Sequence, residues 1–426
     1  MEIKIPELSL VLLIGVSSSG KSTFAKQHFK ETEILSSDNC RAMIADDEVD
    51  QTVTKEAFSV LHFIAAKRLA IGKLTVIDAT NVQLKARKSL LHLAKEYNVK
   101  AVAIVFNLSE QLCQTRRQQR PDRYFGYEII QRQYNDLQYS LRNLKREGFK
   151  QITILNSVTE VEESKVKLVP LTCNMRHVTG PFDIIGDIHG CFDELLILLE
   201  KLGYQVQFSN SKYTVTHPQD RKVIFLGDLV DRGPKIPQVL QLVMDMVTAG
   251  YAFCVKGNHD MKLLRRLKGH DTKLVHGLAE SIQQLQTTST IFCNQVIDFI
   301  GNLSEHYLFD DGKLVVAHAG LPEKLQGRNT GKVFEFALYG KVIGRDEAGL
   351  PIRYNWAADY KGSAMVVYGH TPVFESQWIN NTICIDTGCV FGGKLTALRY
   401  PEKELVTTVA KKIYYKSAKT YLLRRV

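Results

Sequence analysis

Asp187 and His189 stand two residues apart, just past the apolar run Phe182 to Ile185 and flanked by Gly186 and Gly190. In an extended chain residues two apart point to the same side, so one strand end presents a carboxylate and an imidazole to a single metal ion. The glycines let the backbone turn sharply there. Asp-x-His also arises by chance in any loop, so the pair gains meaning only from residues further along the chain. The run Lys222 to Leu226 leads into Gly227-Asp228 and on to Asp231-Arg232, and Tyr251 to Val255 leads into Gly257-Asn258-His259. Leu314 to Ala317 ends at His318, and Ala364 to Tyr368 ends at Gly369-His370. Successive strand ends that each offer Asp, Asn or His beside a glycine form a donor set that hard-to-borderline divalent ions select.

Two such ions about 3.5 to 4 Å apart share a bridging carboxylate, acidify a water and clamp a phosphoryl group for in-line attack. On this reading Asp187 and His189 hold the first ion, Asp228 bridges, and Asn258, His318 and His370 hold the second. Arg232 forks onto two phosphate oxygens. His259 protonates the leaving alkoxide, with Asp231 orienting it and raising its pKa. Asp386, after Thr382 to Ile385, is a further ligand or a partner of one.

A second phosphate-handling pattern lies near the start. The apolar run Ser9 to Ile14 passes into Gly15-Val16-Ser17-Ser18-Ser19-Gly20-Lys21-Ser22-Thr23, and Phe24 to Phe29 begins a helix. Strand, glycine-rich loop and helix in that order are the context a P-loop requires. Backbone N–H groups and the helix N-terminus would cradle a nucleoside triphosphate, with Lys21 on the β and γ groups and Ser22 on magnesium. Asp38 and Arg41 follow a short strand, Glu33 to Ser36, whose carboxyl end should face the nucleotide crevice. Asp38 takes the proton of an attacking hydroxyl while Arg41 holds an acceptor phosphate, or Asp38 merely caps the next helix. Asp78, after Leu74 to Ile77, is either a magnesium-side acid or the anchor of Arg41. Arg116 and Arg120 share a helix face as a lid over the triphosphate would, or form a solvated basic face.

The elements that must carry these residues define the architecture. Short buried strands alternating with helices imply an α/β chain: a doubly wound parallel P-loop sheet, then a second α/β unit that carries the metal donors. The expected division is a P-loop domain over 1–157, a linker over 158–178 that is charged and then irregular, and a metal-site domain over 179–426. Ile130, Tyr134, Leu137, Leu141 and Leu144 keep helical spacing and predict a long amphipathic helix packed on the first sheet.

Bulk composition limits the alternatives. The 426 residues are 45% hydrophobic and 23% charged, as in soluble globular protein, and suggest two or three domains. A net charge of +10 favours polyanionic partners. Eight scattered cysteines without a C-x-x-C pair point to a reducing, cytoplasmic setting. Leu8 to Val16 is about half a membrane span, so no membrane association is expected.

The blocks GDIHG, GDLVDRG, GNHD, HAG and GHT resemble the calcineurin-type binuclear metallophosphoesterases, which implies an α/β metallophosphoesterase sandwich after the P-loop sheet. GVSSSGKST, SSDNCR, DATN and the lid arginines resemble the P-loop polynucleotide 5'-kinases. Their fusion in this order resembles the bacterial polynucleotide kinase-phosphatase family of RNA repair. That resemblance implies phosphorylation of 5'-hydroxyl ends through Lys21, Ser22, Asp38, Arg41, Arg116 and Arg120, with ATP and Mg2+. It also implies removal of a 2',3'-cyclic or 2'-phosphate with two divalent ions, Mn2+ or Ni2+. The implied partners are nucleic-acid ends, RNA ahead of DNA. Family members continue into a ligase domain whereas this sequence stops at Val426, so a separate RNA ligase is expected. Two rivals are a small-molecule kinase fused to a protein phosphatase or dinucleoside-polyphosphate hydrolase, and a nucleotide-regulated RNA-binding module. Asp231 weighs against the dinucleoside-polyphosphate reading, and a complete motif set weighs against the binding module.

Overall fold

The computed structural model describes residues 1–119, 126–345 and 351–416. The chain divides into two compact units, Met1–Leu171 with Arg328–Thr330, and Thr172–Gly327 with Gly331–Val426.

The first unit is built on a five-stranded parallel sheet in the order Ile34–Ser36, Thr75–Asp78, Ser9–Gly15, Lys100–Phe106, Gln151–Leu155. Ser9–Gly15 is buried along its whole length, as a central strand covered on both faces must be. From this strand the chain goes out to the edge strand Ile34–Ser36, returns through Thr75–Asp78 and then fills the other side of the sheet, and the glycine loop leaves the strand's carboxyl end, where such sheets place ligands. The long helix runs Tyr127–Leu141 and buries Ile130 and Leu137, while Leu144 packs from a short 3-10 turn beyond its end. Residues 158–178, expected as an irregular linker, instead begin with the helix Val158–Glu163 and the strand Lys165–Val169. That strand pairs in parallel with Glu2–Pro6, so this part of the segment belongs to the first unit. The pairing spans the whole unit in sequence, and local pattern carries no trace of so distant a partner. Within the same unit Arg328 donates to the carbonyls of Leu69, Ala70 and Tyr97, at the C-terminal ends of two helices.

The second unit is a sandwich of two five-stranded sheets. One runs Ala252–Cys254, Lys222–Phe225, Phe182–Ile185, Lys394–Tyr400, Glu404–Val409, with the first three parallel. The other runs His306–Phe309, Leu314–Ala317, Met365–Tyr368, Thr382–Cys384, Trp378–Ile379, with a parallel centre and antiparallel edges. Alternation along each strand sends Ile184 and Ile224 into the core shared with Val316, Val367 and Ile383. Ile185 and Phe225 face the other way, against Leu195, Leu199 and Val243 of the flanking helices. The parallel strands in this unit therefore read as largely apolar runs, while Asp183, buried inside Phe182–Ile185, is matched by the Tyr204 hydroxyl at 2.9 Å and Arg221 Nε at 3.1 Å. No described helix is long and apolar enough to cross a membrane.

His306 opens the edge strand and is fully buried. Its Nε2 accepts from the Gly327 N–H at 3.1 Å, and its Nδ1 has no partner. Burial, with a smaller push from Arg176, lowers its pKa from 6.5 to about 3. The unfolded chain therefore takes up more protons below pH 6.5, so this group's contribution is intact above that value and is lost as pH falls towards 3. Between pH 7.5 and 5.5 the loss amounts to about 1.4 kcal/mol. Wild-type stability in denaturant titrations should fall by that much more than His306→Gln across the same interval. Parallel curves would remove His306 from the acid response.

Candidate functional site

In the first unit the phosphate loop is closed by steric necessity. A Cβ on Gly15 would stand 2.9 Å from both Phe106 Cβ and Ser19 Oγ, so only glycine lets the loop leave the strand there. Gly20 caps the helix Lys21–His28 in left-handed geometry (φ 95°) with no side-chain cap. The first-turn N–H groups thus stay available, which is the cradle a triphosphate needs. Lys21 Nζ donates to the Val16 carbonyl at 2.8 Å, and the Ser17 N–H donates to Gln133 Oε1 at 2.8 Å. Gln133 escaped sequence reading because nothing ties a glutamine 116 residues away to the loop. Arg116 Nη1 lies 3.6 Å from the Cβ position of Gly20, on the loop's own doorstep, while Arg120 falls outside the described residues.

Asp38 sits in the first turn of the helix Ser37–Ala45, but it is not the cap. Ser36 Oγ fills that role, accepting from the Asp38 and Asn39 N–H groups at 3.2 and 3.4 Å. Asp38 Oδ1 instead accepts from Arg41 Nη2, whose Nε donates to the Glu48 carbonyl at 2.9 Å. The arginine is therefore held by Asp38 and Glu48 rather than by Asp78. Asp78 lies beside both Leu13 and Ser36 in the strand register, at the mouth of the same crevice. Ser22 and Thr23 follow Lys21 in the loop's helix.

In the second unit the strand ends bring the expected donors together. His318 Nε2 stands 3.0 Å from Asn258 Oδ1, 3.0 Å from His370 Nδ1 and 3.4 Å from Asp228 Oδ2. His318 Nδ1 donates to the Leu226 carbonyl at 2.8 Å, which turns Nε2 toward these other electron-rich atoms. Asp228 also lies 3.7 Å from His189 Nε2, so it is common to two clusters: His189 with His259, and His318 with His370. Asp187 accepts from the His370 N–H at 3.1 Å, and a Cβ on Gly369 would come within 2.0 Å of its Oδ1. Five of these residues hold left-handed backbone: His189 (46°), Asp228 (48°), Asp231 (73°), Arg232 (70°) and His370 (71°). Such conformations cost energy and persist where the surroundings over-determine them.

Electrostatics test whether cations fit. Burial raises Asp187 well above the usual carboxylate range, reinforced by Asp386, and burial lifts Asp386 itself to about 6. Burial opposes the charge on His318, yet Asp228 and Asp187 outweigh it and carry that imidazole up to about 10. His318 then holds Asp228 well below its ordinary value against the effect of burial. A proton on His318 is thus the substitute for positive charge among Asp187, Asp228 and Asp386. His370 Nε2 is buried without a partner. An oxygen-and-imidazole set with surplus negative charge fits divalent cations. Ions held there polarise a phosphoryl oxygen and acidify the attacking water.

Arg232 spans two neutral imidazoles. It donates to His189 Nε2 at 2.7 Å and His259 Nε2 at 2.8 Å, while His189 Nδ1 donates to the Val230 carbonyl and His259 Nδ1 to Asp231 Oδ2 at 2.5 Å. His259 was expected to have its pKa raised by Asp231. Burial instead holds it well below 6.5, with Arg232 adding to the effect, and burial lifts Asp231 to about 6. Asp231 therefore fixes the tautomer and orientation of His259 and does not charge it.

Two supports escaped the sequence. Asp260 accepts from the N–H groups of Gly257, Asp228 and Leu229, fastening two strand ends together, and its place in GNHD was the available signal. Ser281 Oγ donates to Asp231 Oδ1 and accepts from the Asp231 N–H at 3.0 Å. Ser281 lies in the helix Leu278–Leu285, 50 residues from its partner, with no motif around it. Ser281→Ala should leave the Asp231 donor and acceptor buried and unmatched, loosening His259. Phosphoester turnover should drop about 10- to 100-fold, with kcat affected more than KM. An unchanged kcat would mean that Asp231 is held well enough without it.

Comparison with known proteins places this geometry. Residues 180–404 match the model of the calcineurin-like phosphoesterases, more than half of the chain. The chain belongs to the calcineurin-like phosphoesterase family. Residues 10–144 match an AAA domain model, in keeping with the phosphate loop. The asymmetrical bis(5'-nucleosyl)-tetraphosphatase PrpE of Anoxybacillus flavithermus is 47% identical over 231 residues, 53% of this chain and 93% of that protein. Its Bacillus subtilis counterpart is 44% identical over 231 residues, with the same coverage. Membership in the phosphoesterase family implies divalent metal ions, in line with the charge surplus around Asp187, Asp228 and Asp386.

Proposed function

We propose that the chain is a bifunctional nucleic-acid end-healing enzyme. Its first unit would phosphorylate 5'-hydroxyl ends from ATP and Mg2+, and its second would remove 2',3'-cyclic or 2'-phosphates with two divalent ions, Mn2+ or Ni2+. RNA is favoured over DNA, and a separate RNA ligase would seal the healed ends. The observation that carries this reading is the Asp38–Arg41 pair beyond the phosphate loop. A protein that only hydrolysed or sensed nucleotide would need neither a carboxylate for an acceptor hydroxyl nor an arginine for an acceptor phosphate. Neither residue serves as the helix cap, since Ser36 performs that role. In the second unit Arg232 would turn from the two imidazoles to grip the phosphate, and His259, neutral at rest, would take up a proton at the freed Nε2 and pass it to the departing oxygen under the orientation set by Asp231.

A second reading has a specific observation behind it. Relatives 44–47% identical to the second unit bear the name asymmetrical bis(5'-nucleosyl)-tetraphosphatase, so Asp231 does not set hydrolysis of dinucleoside polyphosphates aside. One experiment separates the two: RNA with a 5'-hydroxyl and a 2',3'-cyclic end, incubated with γ-labelled ATP, beside diadenosine tetraphosphate. End healing predicts label on the RNA 5' end, loss of the cyclic phosphate, and a higher kcat/KM for the RNA end. Label on a small metabolite only, with faster tetraphosphate cleavage, would replace the first reading by the second.

A further inference from the structure

Beside the phosphoesterase ligands lies a separate cluster of metal-binding side chains. Cys191, Glu194 and Cys389 are all buried, and their ligand atoms lie within 4.8 Å of one another. Cys191 caps the helix Phe192–Leu202 and Glu194 comes three residues on, so the two share a helix face. Cys389 opens the 3-10 turn Cys389–Phe391, just past Asp386. Cys191 Sγ donates to the His189 carbonyl at 3.9 Å. Glu194 is fully buried: its Oε1 accepts from the Lys411 N–H at 2.9 Å and the Tyr414 hydroxyl at 2.8 Å, while Oε2 has no partner. An unmatched buried carboxylate oxygen beside two sulfurs is costly unless something positive occupies the space.

We propose that Cys191, Cys389 and Glu194 bind a thiolate-ligated structural cation of the zinc class, distinct from the ions of the phosphoesterase site. Sulfur donors select such borderline-to-soft ions over magnesium, calcium or manganese, and the Asp, His and Asn set next door has the opposite preference. Binding releases the two thiol protons to solvent and changes no oxidation state. The ion ties the loop after His189 to the loop after Asp386. Through Glu194 it also ties in the segment ending at Tyr415, whose ring lies 5.9 Å from the Arg232 guanidinium. Phe391, two residues past Cys389, lies 5.1 Å from the same group, so the Phe391 and Tyr415 rings beside Arg232 both belong to segments tied to this cluster.

Cobalt separates the two kinds of site, because only the cysteine cluster can give a thiolate-to-cobalt charge-transfer band. The full-length protein loaded with Co2+ should show that near-ultraviolet band. Cys389→Ala should abolish it, whereas His370→Ala and Cys384→Ala should keep it. Zinc X-ray absorption on the wild-type protein, which requires no variant to fold, should show sulfur neighbours at about 2.3 Å. A cobalt-loaded wild type without a thiolate band, a band that survives Cys389→Ala or is lost with His370→Ala, or a zinc spectrum of nitrogen and oxygen neighbours alone would overturn the proposal.

Discussion

Asp228→Asn should lower phosphoester hydrolysis by more than about 100-fold, beyond the loss expected from removing a group that only orients a ligand. The amide keeps the shape of the carboxyl group and an oxygen for the His259 N–H, which Asp228 Oδ1 accepts at 2.9 Å, so the strand end should keep its path. What it loses is the negative charge that stands between the His189–His259 cluster and the His318–His370 cluster. His318 owes its elevated pKa first to overcoming burial through Asp228, so the change also returns that imidazole toward neutrality. Turnover of a phosphomonoester at saturating Mn2+, alongside metal content after dialysis, checks both consequences. Full turnover with full metal content would remove Asp228 from the bridging position. Transfer from ATP by the first unit should be unaffected if the two chemistries are independent.

Much of this site was legible because the phosphoesterase core is built from parallel strands buried on both faces. Such strands hold a polar side chain internally only where it is partnered, as Asp183 is by Tyr204 and Arg221, so Asp187, Asp228, Asn258, His318 and His370 fall at their ends and stand out against apolar runs. The phosphate loop was legible for a simpler reason: all of its parts, from Gly15 to Thr23, are contiguous. What escaped depends on distance in sequence. Ser281 reaches Asp231 across 50 residues, and the strand Lys165–Val169 finds its partner at Glu2–Pro6, neither with any local mark. The cysteines show the limit most clearly. Scattered spacing argued against a disulfide framework, and it carries no sign that the fold brings Cys191, at the start of the helix Phe192–Leu202, beside Cys389, in the 3-10 turn after Asp386. The state of His259 was misjudged for a different reason. An adjacent carboxylate suggested a charged imidazole, whereas the depth of burial, which no motif reports, keeps it neutral.

Asp38→Ala should lower γ-phosphate transfer from ATP to a 5'-hydroxyl oligonucleotide by about 100- to 10,000-fold, the range that a positioned general base supplies. The fold should tolerate the change. Ser36 caps the helix, the Asp38 side chain is 25% exposed, and Arg41 keeps its bond to the Glu48 carbonyl. Nucleotide binding should also survive, because the loop from Gly15 to Lys21 is shaped by its own backbone and by Phe106 rather than by Asp38. The informative comparison is thus transfer rate against ATP affinity. A general base removes rate and spares affinity, whereas a purely structural aspartate would weaken both together. Arg41→Lys adds a second axis: a lysine keeps the charge but not the planar fork, so the KM for an acceptor end with a neighbouring phosphate should rise while ATP affinity stays unchanged. If Asp38→Ala transferred phosphate at the wild-type rate, the carboxylate would be no more than the partner of Arg41, and the proton would have to leave through another group at the strand ends, with Asp78 the first to examine.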